Sequence, residues 1–377
     1  MWEDFTAHKD VLWGFLVALA VVLVLTPAVG RVARVLGVVD EPDEKRRIHL
    51  RAVPRLGGLA IFLGIFVPAL AFIDLTPEFR GILLGAALAT TIGVVDDFRG
   101  LSWWLKLAGQ LGAAGVAIQA GVTIDRFTFP VVGVHALPDW LGVILTLVWI
   151  VAIMNMVNFL DGMDGLAAGV CAISGGTFAV IALSLGRPNA AVLSAIVAGA
   201  CLGFLRHNFY PARIFMGDSG SLLLGFTLAT VAIQGTLKTA ATVALFLPLF
   251  VLAVPILDTS FVVARRLKHH ERIFAPDQAH LHYRLLRRGF SQRRTVVYLW
   301  AWCAILAGGA LATRFVPFRE NGEWHLWPTV LASLIGVLVI VASLYLVTLL
   351  EILKIRRLRA WVGRPVEEED EPRLKSA

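Results

Sequence analysis

LGVILTLVWIVAIMNMVNFLDGMDGLAAG, residues 141–169, runs from an apolar segment, Leu141 to Ile153, straight into a polar one. The polar part, Asn155 to Gly169, carries two amides and two carboxylates, Asn155, Asn158, Asp161 and Asp164, spaced every three residues. Polar groups at bilayer depth or at its rim cost several kcal/mol each unless they are paired, so they mark function. Each residue of an α-helix turns about 100°, so the nine steps from Asn155 to Asp164 amount to half a turn. A straight helix would point the two apart. If all four polar groups converge on one site, the helix ends or breaks here, and Gly162 and Gly165 permit it. Helix capping is the plainer alternative, an Asn or Asp satisfying free N–H groups at a membrane rim. One cap needs one such residue, and this stretch has four.

Composition agrees with a membrane setting. The chain of 377 residues is 58% hydrophobic and 16% charged, with a mean hydropathy of +0.76, which excludes an ordinary water-soluble domain. A spanning helix needs roughly 20 mostly apolar residues. About eleven segments qualify, near 11–29, 57–74, 80–95, 104–121, 140–157, 166–185, 190–205, 220–235, 241–263, 295–312 and 328–350, with ten as the alternative count because some are short. The first lacks the small-residue cleavage site of a signal peptide and reads as a retained helix. Cys171, Cys201 and Cys303 all fall in apolar segments without metal-ligand spacing, so they read as packing residues.

The net charge of +7 would suit nucleic acid on a soluble protein, but here it sits in short loops beside spanning segments and sets orientation, so no nucleic-acid partner is expected. With the N-terminus outside, alternation puts the loops near 30–56, 96–103, 154–165, 206–219 and 264–294 in the cytoplasm, followed by the tail. Arg31, Arg34, Lys45, Arg46, Arg47, Arg51 and Arg55 crowd the first, and Arg265 through Arg294 the fifth. The opposite loops, DLTPEF and Ile124 to Asp139, are poor in Lys and Arg. The expectation is therefore an all-α polytopic membrane protein, N-terminus outside and C-terminus cytoplasmic. Residues 1–353 form one catalytic domain, and 354–377 a charged tail that is disordered beyond about Val362.

Nearly every cluster of ionisable or amide residues lies on the cytoplasmic side of this topology. One site built from five loops explains that; a transport pathway would leave charges near mid-membrane. The first loop, VVDEPDEKRRIHLRAVPRLGG, mixes acid, base, His49, prolines and the Gly57–Gly58 pair, and reads either as a phosphate-binding loop or as a lipid-headgroup contact. In GVVDDFRGLSWWLKLAGQ, Asp96 and Asp97 point about 100° apart on a helix. One is free to meet a metal or a proton while the other bonds Lys106 or Gln110; a solvated helix end is the alternative. RHNFYPARIFMGDSGSLLLG sets Asp218 between Gly217 and Ser219-Gly220, a helix cap or a carboxylate for Mg²⁺. Phe215 is placed there to stack on a base or to anchor at the rim. In PDQAHLHYRLLRRGFSQRRT, His280 and His282 diverge by roughly 200° in a helix and lack zinc partners, so an anionic diphosphate suits them better.

In order, the blocks DEPDEKRRIHLRAVPRLGG, DDFRGLSWWLKLAGQ, NMVNFLDGMDGLAAG, NFYPARIFMGDSGS and DQAHLHYRLLRRGFS resemble the polyprenyl-phosphate N-acetylhexosamine-1-phosphate transferases, the superfamily of MraY, WecA and TagO. The resemblance covers about residues 38–298. HLHYRLL followed by RRGFS is similar to the WecA/TagO branch, whereas MraY carries three consecutive histidines; Tyr283 departs from the branch, which often has a His there.

The resemblance implies that the phosphate of a polyprenyl phosphate, usually undecaprenyl phosphate, attacks the β-phosphorus of a UDP-N-acetylhexosamine, UDP-GlcNAc above all. UMP is released, Mg²⁺ is required with Mn²⁺ as an alternative, and a lipid-linked cell-envelope glycan begins. It further implies Asp218 as metal ligand, with Asp96 and Asp97 beside the lipid phosphate and metal. Asn155, Asn158, Asp161, Asp164 and Asn208 would shape the nucleotide and metal site, and Phe215 would stack on uracil. His280 and His282 would contact diphosphate or sugar, and Lys106, Arg51, Arg55 and His49 would contribute to binding. The implied setting is the cell inner membrane, among membrane lipids, with the site facing the cytoplasm and a homodimer as one assembly. Two readings compete: an MraY-like enzyme using UDP-MurNAc-pentapeptide, and a transporter or lipid flippase.

Overall fold

The computed structural model describes residues 9–41, 52–129, 133–237, 246–269, 281–316, 319–320, 323–324 and 326–349. His49, Arg51, His280 and the tail lie outside them. His282 lies on a described helix, but its side chain is not among those described.

Helices dominate, as expected. In chain order they are α1 (Lys9–Val35), α2 (Gly57–Phe72), α3 (Pro77–Arg99), α4 (Trp103–Gln119), α5 (Asp139–Leu160), α6 (Leu166–Ser184) and α7 (Pro188–Asn208). There follow α8 (Gly217–Ala232), continued by a π turn, Ile233–Leu237, then α9 (Phe246–Val251), α10 (Ala253–His269), α11 (Leu281–Arg287), α12 (Gln292–Phe315) and α13 (Leu326–Leu349). Three small antiparallel hairpins interrupt the helices: β1 (Val39–Asp40) with β2 (Val53–Pro54), β3 (Arg126–Phe129) with β4 (Gly133–Ala136), and β5 (Arg319–Glu320) with β6 (Glu323–Trp324).

Among the described residues, α1, α3, α5, α6, α7, α8 with its π turn and α12 are long and apolar enough to cross a membrane. The apolar segment at 241–263 is not one helix: a break at Leu252 divides α9 from α10. Helix ends also run past the apolar windows. Arg31 and Arg34 are on α1, Asp96 and Asp97 on α3, Asn155 and Asn158 on α5, and Asn208 on α7, where loops were expected. The reason is that hydropathy marks only the lipid-facing part of a helix, whereas the backbone ladder continues until a cap or glycine stops it. α3, for example, starts at Pro77 behind Thr76, whose hydroxyl donates to Glu78 at 2.7 Å, and ends at Gly100 with φ +66°.

α8 is the axis of the bundle; α2, α3, α5, α6 and α7 all pack on it, and α1 closes over α2 and α7. Small residues allow this closeness: a Cβ on Gly225 would come within 2.6 Å of Met154 Cα, so α8 and α5 touch backbone to backbone. The large apolar side chains left on the outside, such as Leu84, Val148 and Trp140, make a surface suited to lipid rather than water.

Candidate active site

α5 stops at Leu160 and α6 starts at Leu166, with Gly165 at φ +78° in the turn between them. The break foreseen in NMVNFLDGMDGLAAG is therefore real, and it lets Asn158, Asp161 and Asp164 line one cavity. Asn155 does not join them. Its amide donates to Gln110 Oε1 at 2.8 Å and accepts from Gln110 Nε2 at 3.3 Å, locking α5 to α4 one turn deeper. An amide among apolar helices needs such a partner, and the reciprocal pair meets both demands.

The cavity, roughly 760 Å³, opens at the end of the bundle where α3, α5 and α7 finish and α4, α6 and α8 begin. That volume is in the range of small-molecule sites. Its walls include Asp40, Asp161, Asp164 and Asp218 on the acidic side, Arg34, Arg55 and Arg213 on the basic side, and Phe215, Tyr210 and Tyr283 as aromatics.

Asp218 is the most elaborately held of these. α8 begins at Gly217 without a side-chain cap of its own, and the missing acceptor comes from another helix. Both carboxylate oxygens of Asp97 on α3 accept from the first turn of α8, Oδ1 from Asp218 N at 2.9 Å and Oδ2 from Ser219 N at 3.1 Å. Asp97 thus acts as an N-cap supplied in trans. From the other side, Gly57 N and Gly58 N donate to the Phe215 and Met216 carbonyls at 2.9 and 2.8 Å, while Phe215 N donates to the Pro54 carbonyl at 2.8 Å. The glycine pair, expected in a phosphate-binding loop, is a backbone clamp on the Asp218 turn; a Cβ on Gly58 would collide with Ser219 and Gly220.

Polar contacts then converge on the carboxylate. Lys106 Nζ lies 2.6 Å from Asp218 Oδ2, 2.9 Å from Asp96 Oδ2 and 3.4 Å from Asn158 Oδ1. Asn158 Nδ2 donates to Asp218 Oδ1 and, at 2.8 Å, to Ser221 Oγ. Asp96 and Asp97 therefore take different partners, as their angular separation predicts. Asn208, almost fully buried, accepts from Gly165 N at 2.9 Å and donates to the Ile214 carbonyl at 3.0 Å, and Asp164 accepts from Ala212 N at 2.9 Å. Together they staple the α5–α6 turn to the α7–α8 loop. Arg55 pairs with Asp40 at 3.4 Å on the cavity wall.

Asp161 differs from its neighbours. Burial, and then the charges of Asp218 and Asp97, push its carboxyl well above the ordinary carboxylate range; Arg55 opposes this without cancelling it. Burial likewise raises the Tyr283 phenol, which stays a neutral hydrogen-bond donor at physiological pH. Among the described residues no three His, Cys, Asp or Glu side chains gather into a ready-made metal cage. The donors that do converge are hard oxygens, from Asp218, Asp96 and Asn158, with the uncompensated Asp161 beside them. This set suits Mg²⁺ or Mn²⁺, which is commonly held by one or two carboxylates and completed by water and substrate phosphates.

Arg34, Arg213, Tyr210, Gln292 and Ser221 were not singled out from the sequence. In sequence Arg34 reads as one of the orienting charges, and nothing local separates Arg213 from Arg206; only the folded loop brings Arg213 to the cavity.

Residues 79–236 match the glycosyl transferase family 4. The chain is 40% identical over 287 residues to the Bacillus subtilis (strain 168) protein named "probable undecaprenyl-phosphate N-acetylglucosaminyl 1-phosphate transferase", covering 76% of this chain and 80% of that one. It is 37% identical to the decaprenyl-phosphate N-acetylglucosaminephosphotransferase of Mycobacterium leprae (strain TN), covering 83% and 86% of the two chains. It is also 33% identical to the phospho-N-acetylmuramoyl-pentapeptide-transferase of Shouchella clausii (strain KSM-K16), over 70% and 83%.

Proposed function

The chain belongs to the polyprenyl-phosphate N-acetylhexosamine-1-phosphate transferase superfamily, and from that premise we propose how its cavity works. The protein transfers GlcNAc-1-phosphate from a UDP-GlcNAc donor to a polyprenyl phosphate. An oxygen of the lipid phosphate attacks the β-phosphorus, the bond from that phosphorus to the bridging oxygen breaks, and UMP leaves with the electron pair. The observation that carries this reading is the cavity at one end of an apolar helix bundle, where Asp218 is fixed among Lys106, Asn158 and the Asp97 cap, opposite Arg34, Arg55 and Arg213.

A phosphate monoester with a second pKa near 6 is largely ionised at pH 7, so positioning and charge stabilisation matter more than a strong base. Lys106 and the arginines bind the diphosphate and oppose the charge that grows on it. Phe215 stacks on the uracil, and Tyr283 donates a hydrogen bond to the sugar or diphosphate. Asp218, with Asp96 and Asn158 and with Asp161 beside them, would hold a divalent cation, which when bound neutralises phosphate oxygens as a Lewis acid. Asp97, Asn208 and Asp164 act one step back, fixing the loops that carry these groups. In the proposed topology eleven segments cross the inner membrane, and the cavity faces the cytoplasm, where the nucleotide sugar is made.

The test is incubation of the purified protein with radiolabelled UDP-GlcNAc, undecaprenyl phosphate and Mg²⁺. A lipid-extractable product and stoichiometric UMP are expected, both lost on adding EDTA. Product from UDP-MurNAc-pentapeptide alone would move the chain to the pentapeptide branch, and no lipid-linked product from either donor would sink the reading.

A further inference from the structure

Three oxygens from three helices, Asp96 Oδ2 on α3, Asn158 Oδ1 on α5 and Asp218 Oδ2 on α8, surround one nitrogen, Lys106 Nζ, at 2.9, 3.4 and 2.6 Å. This arrangement of hard oxygens about a cation is the kind a divalent metal requires. The side chains are mostly withdrawn from solvent, with 17% of Lys106, 9% of Asp96 and 26% of Asp218 exposed. One ammonium opposes two carboxylates here, Asp96 and Asp218, so the cluster is short of positive charge. Asp97, whose two oxygens accept from the N–H groups of Asp218 and Ser219, adds to that deficit from one step back.

A divalent ion bound to Asp218 sits about 2.0–2.1 Å from its oxygen. It and an ammonium held on that same oxygen at 2.6 Å would crowd and repel each other. Lys106 must therefore leave Asp218 when the metal arrives. Its four-carbon stem, rising from the first turn of α4, can swing without moving the helix, and the ammonium retains Asp96 as a pivot. The anionic group nearest to hand is the diphosphate that the metal accompanies.

We propose that Lys106 is a placeholder cation: it occupies the divalent-metal position of the metal-free protein, competes with the metal for Asp218, and on displacement is released toward the substrate diphosphate. This rests on the metal-dependent reading above, and it makes metal binding and phosphate binding successive uses of one cluster. It also supplies a cation to the cluster when no substrate is present, so Asp96 and Asp218 are not left as an unpaired buried carboxylate pair.

The test measures Mn²⁺ binding directly, by loss of the free-ion electron paramagnetic resonance signal on titration of the full chain in detergent without nucleotide. Lys106→Met and, as a second form, Lys106→Gln are expected to bind Mn²⁺ at least about tenfold more tightly than the wild type, while losing transferase activity. Lys106→Arg, which keeps the charge, should stay near the wild-type affinity, and Asp218→Asn should lose the site. Unchanged or weaker binding in both Lys106→Met and Lys106→Gln, with Asp218→Asn still abolishing it, overturns the placeholder role and leaves the metal reading standing. Absence of Mn²⁺ binding in every form, the wild type included, overturns both.

Discussion

Asp218 and Asp161 face the same cavity, yet their surroundings ask different things of them. Asp218 is joined to Lys106 and Asn158, so its removal costs the site a metal-scale contact while leaving Lys106 still paired with Asp96. Asp218→Ala should therefore fold and express normally and lose at least about a hundredfold in turnover; near-normal activity in the radiolabel assay would remove it from the metal position. Asp161 has its carboxyl held high by burial and by the charges of Asp218 and Asp97. A carboxyl raised in the folded state binds its proton more tightly there than in the unfolded chain. It thus contributes stability that is present at low pH and is lost as pH climbs from the ordinary carboxylate range, near 4, through the raised folded value. In EDTA the melting temperature of the wild type should fall across that window, and Asp161→Asn should flatten the slope. A variant whose melting temperature declines as steeply as the wild type would show that the strain lies elsewhere. The sequence revealed that Asp161 and Asp218 are unusual by their setting among apolar helices. It did not reveal which carboxylate is satisfied and which is not, because that depends on Lys106, 112 residues from Asp218 in sequence.

At the level of elements, the start of α8 and the start of α11 are both held by carboxylates borrowed from other helices. Gly217 has φ +68°, and a Cβ there would press on the Arg55 carbonyl and the Asp97 carboxylate that caps α8. Gly217→Ala should cost about 1–2 kcal/mol for the left-handed backbone alone. By shifting the cap it should also lower activity about a hundredfold, since misplacement by an ångström is enough for that. A melting curve and a turnover number decide it. On α10, the buried Asp258 accepts from Leu281 N at 2.8 Å, and Arg284 lies 4.1 Å above the Phe261 ring, so α11 is docked on α10 with Tyr283 on the cavity wall. Asp258→Leu leaves a buried N–H unpaired, a loss of about 1–3 kcal/mol, and should lower kcat/KM by about tenfold or more. Asp258→Asn keeps the acceptor and should stay within about threefold. Equal damage from both would point to the charge of Asp258 rather than its hold on α11. Neither trans cap is legible in sequence, where Asp97 reads as half of a carboxylate pair and Asp258 as one polar residue in an apolar segment. Helix positions, by contrast, are legible because apolar length sets them; their ends are not, because Arg34, Asp97 and Asn208 continue the ladder beyond the lipid-facing windows.

For the whole molecule, sequence and structure agree on where the chemistry gathers, because alternation of spanning segments is a counting argument that needs no tertiary detail. Asp97, Lys106, Asn158, Asn208 and Asp218, drawn from five helices, and Asp164, from the α5–α6 turn, meet at one end of the bundle. The other end is marked by Asp74 against Asn189, and by Arg314 bonded to Ser184 at 3.0 Å through its side chain and 2.7 Å through its carbonyl. α3 carries the chain from one end to the other: Thr76 caps its start and Gly100 ends it, and 23 residues at about 1.5 Å each separate the two by the thickness of a bilayer core. Thr76 and Gly100 therefore report opposite sides of the membrane. Single cysteines at Thr76 and Leu137 should react with a membrane-impermeant maleimide added outside intact cells, and one at Gly100 only after the inner face is opened. The native thiols do not interfere, since Cys171, Cys201 and Cys303 are all buried in the bundle. Labelling of Gly100→Cys from outside, with Thr76→Cys protected, would invert the orientation and put the Asp218 cavity on the face away from the cytoplasmic nucleotide-sugar pool, where the proposed donor could not reach it.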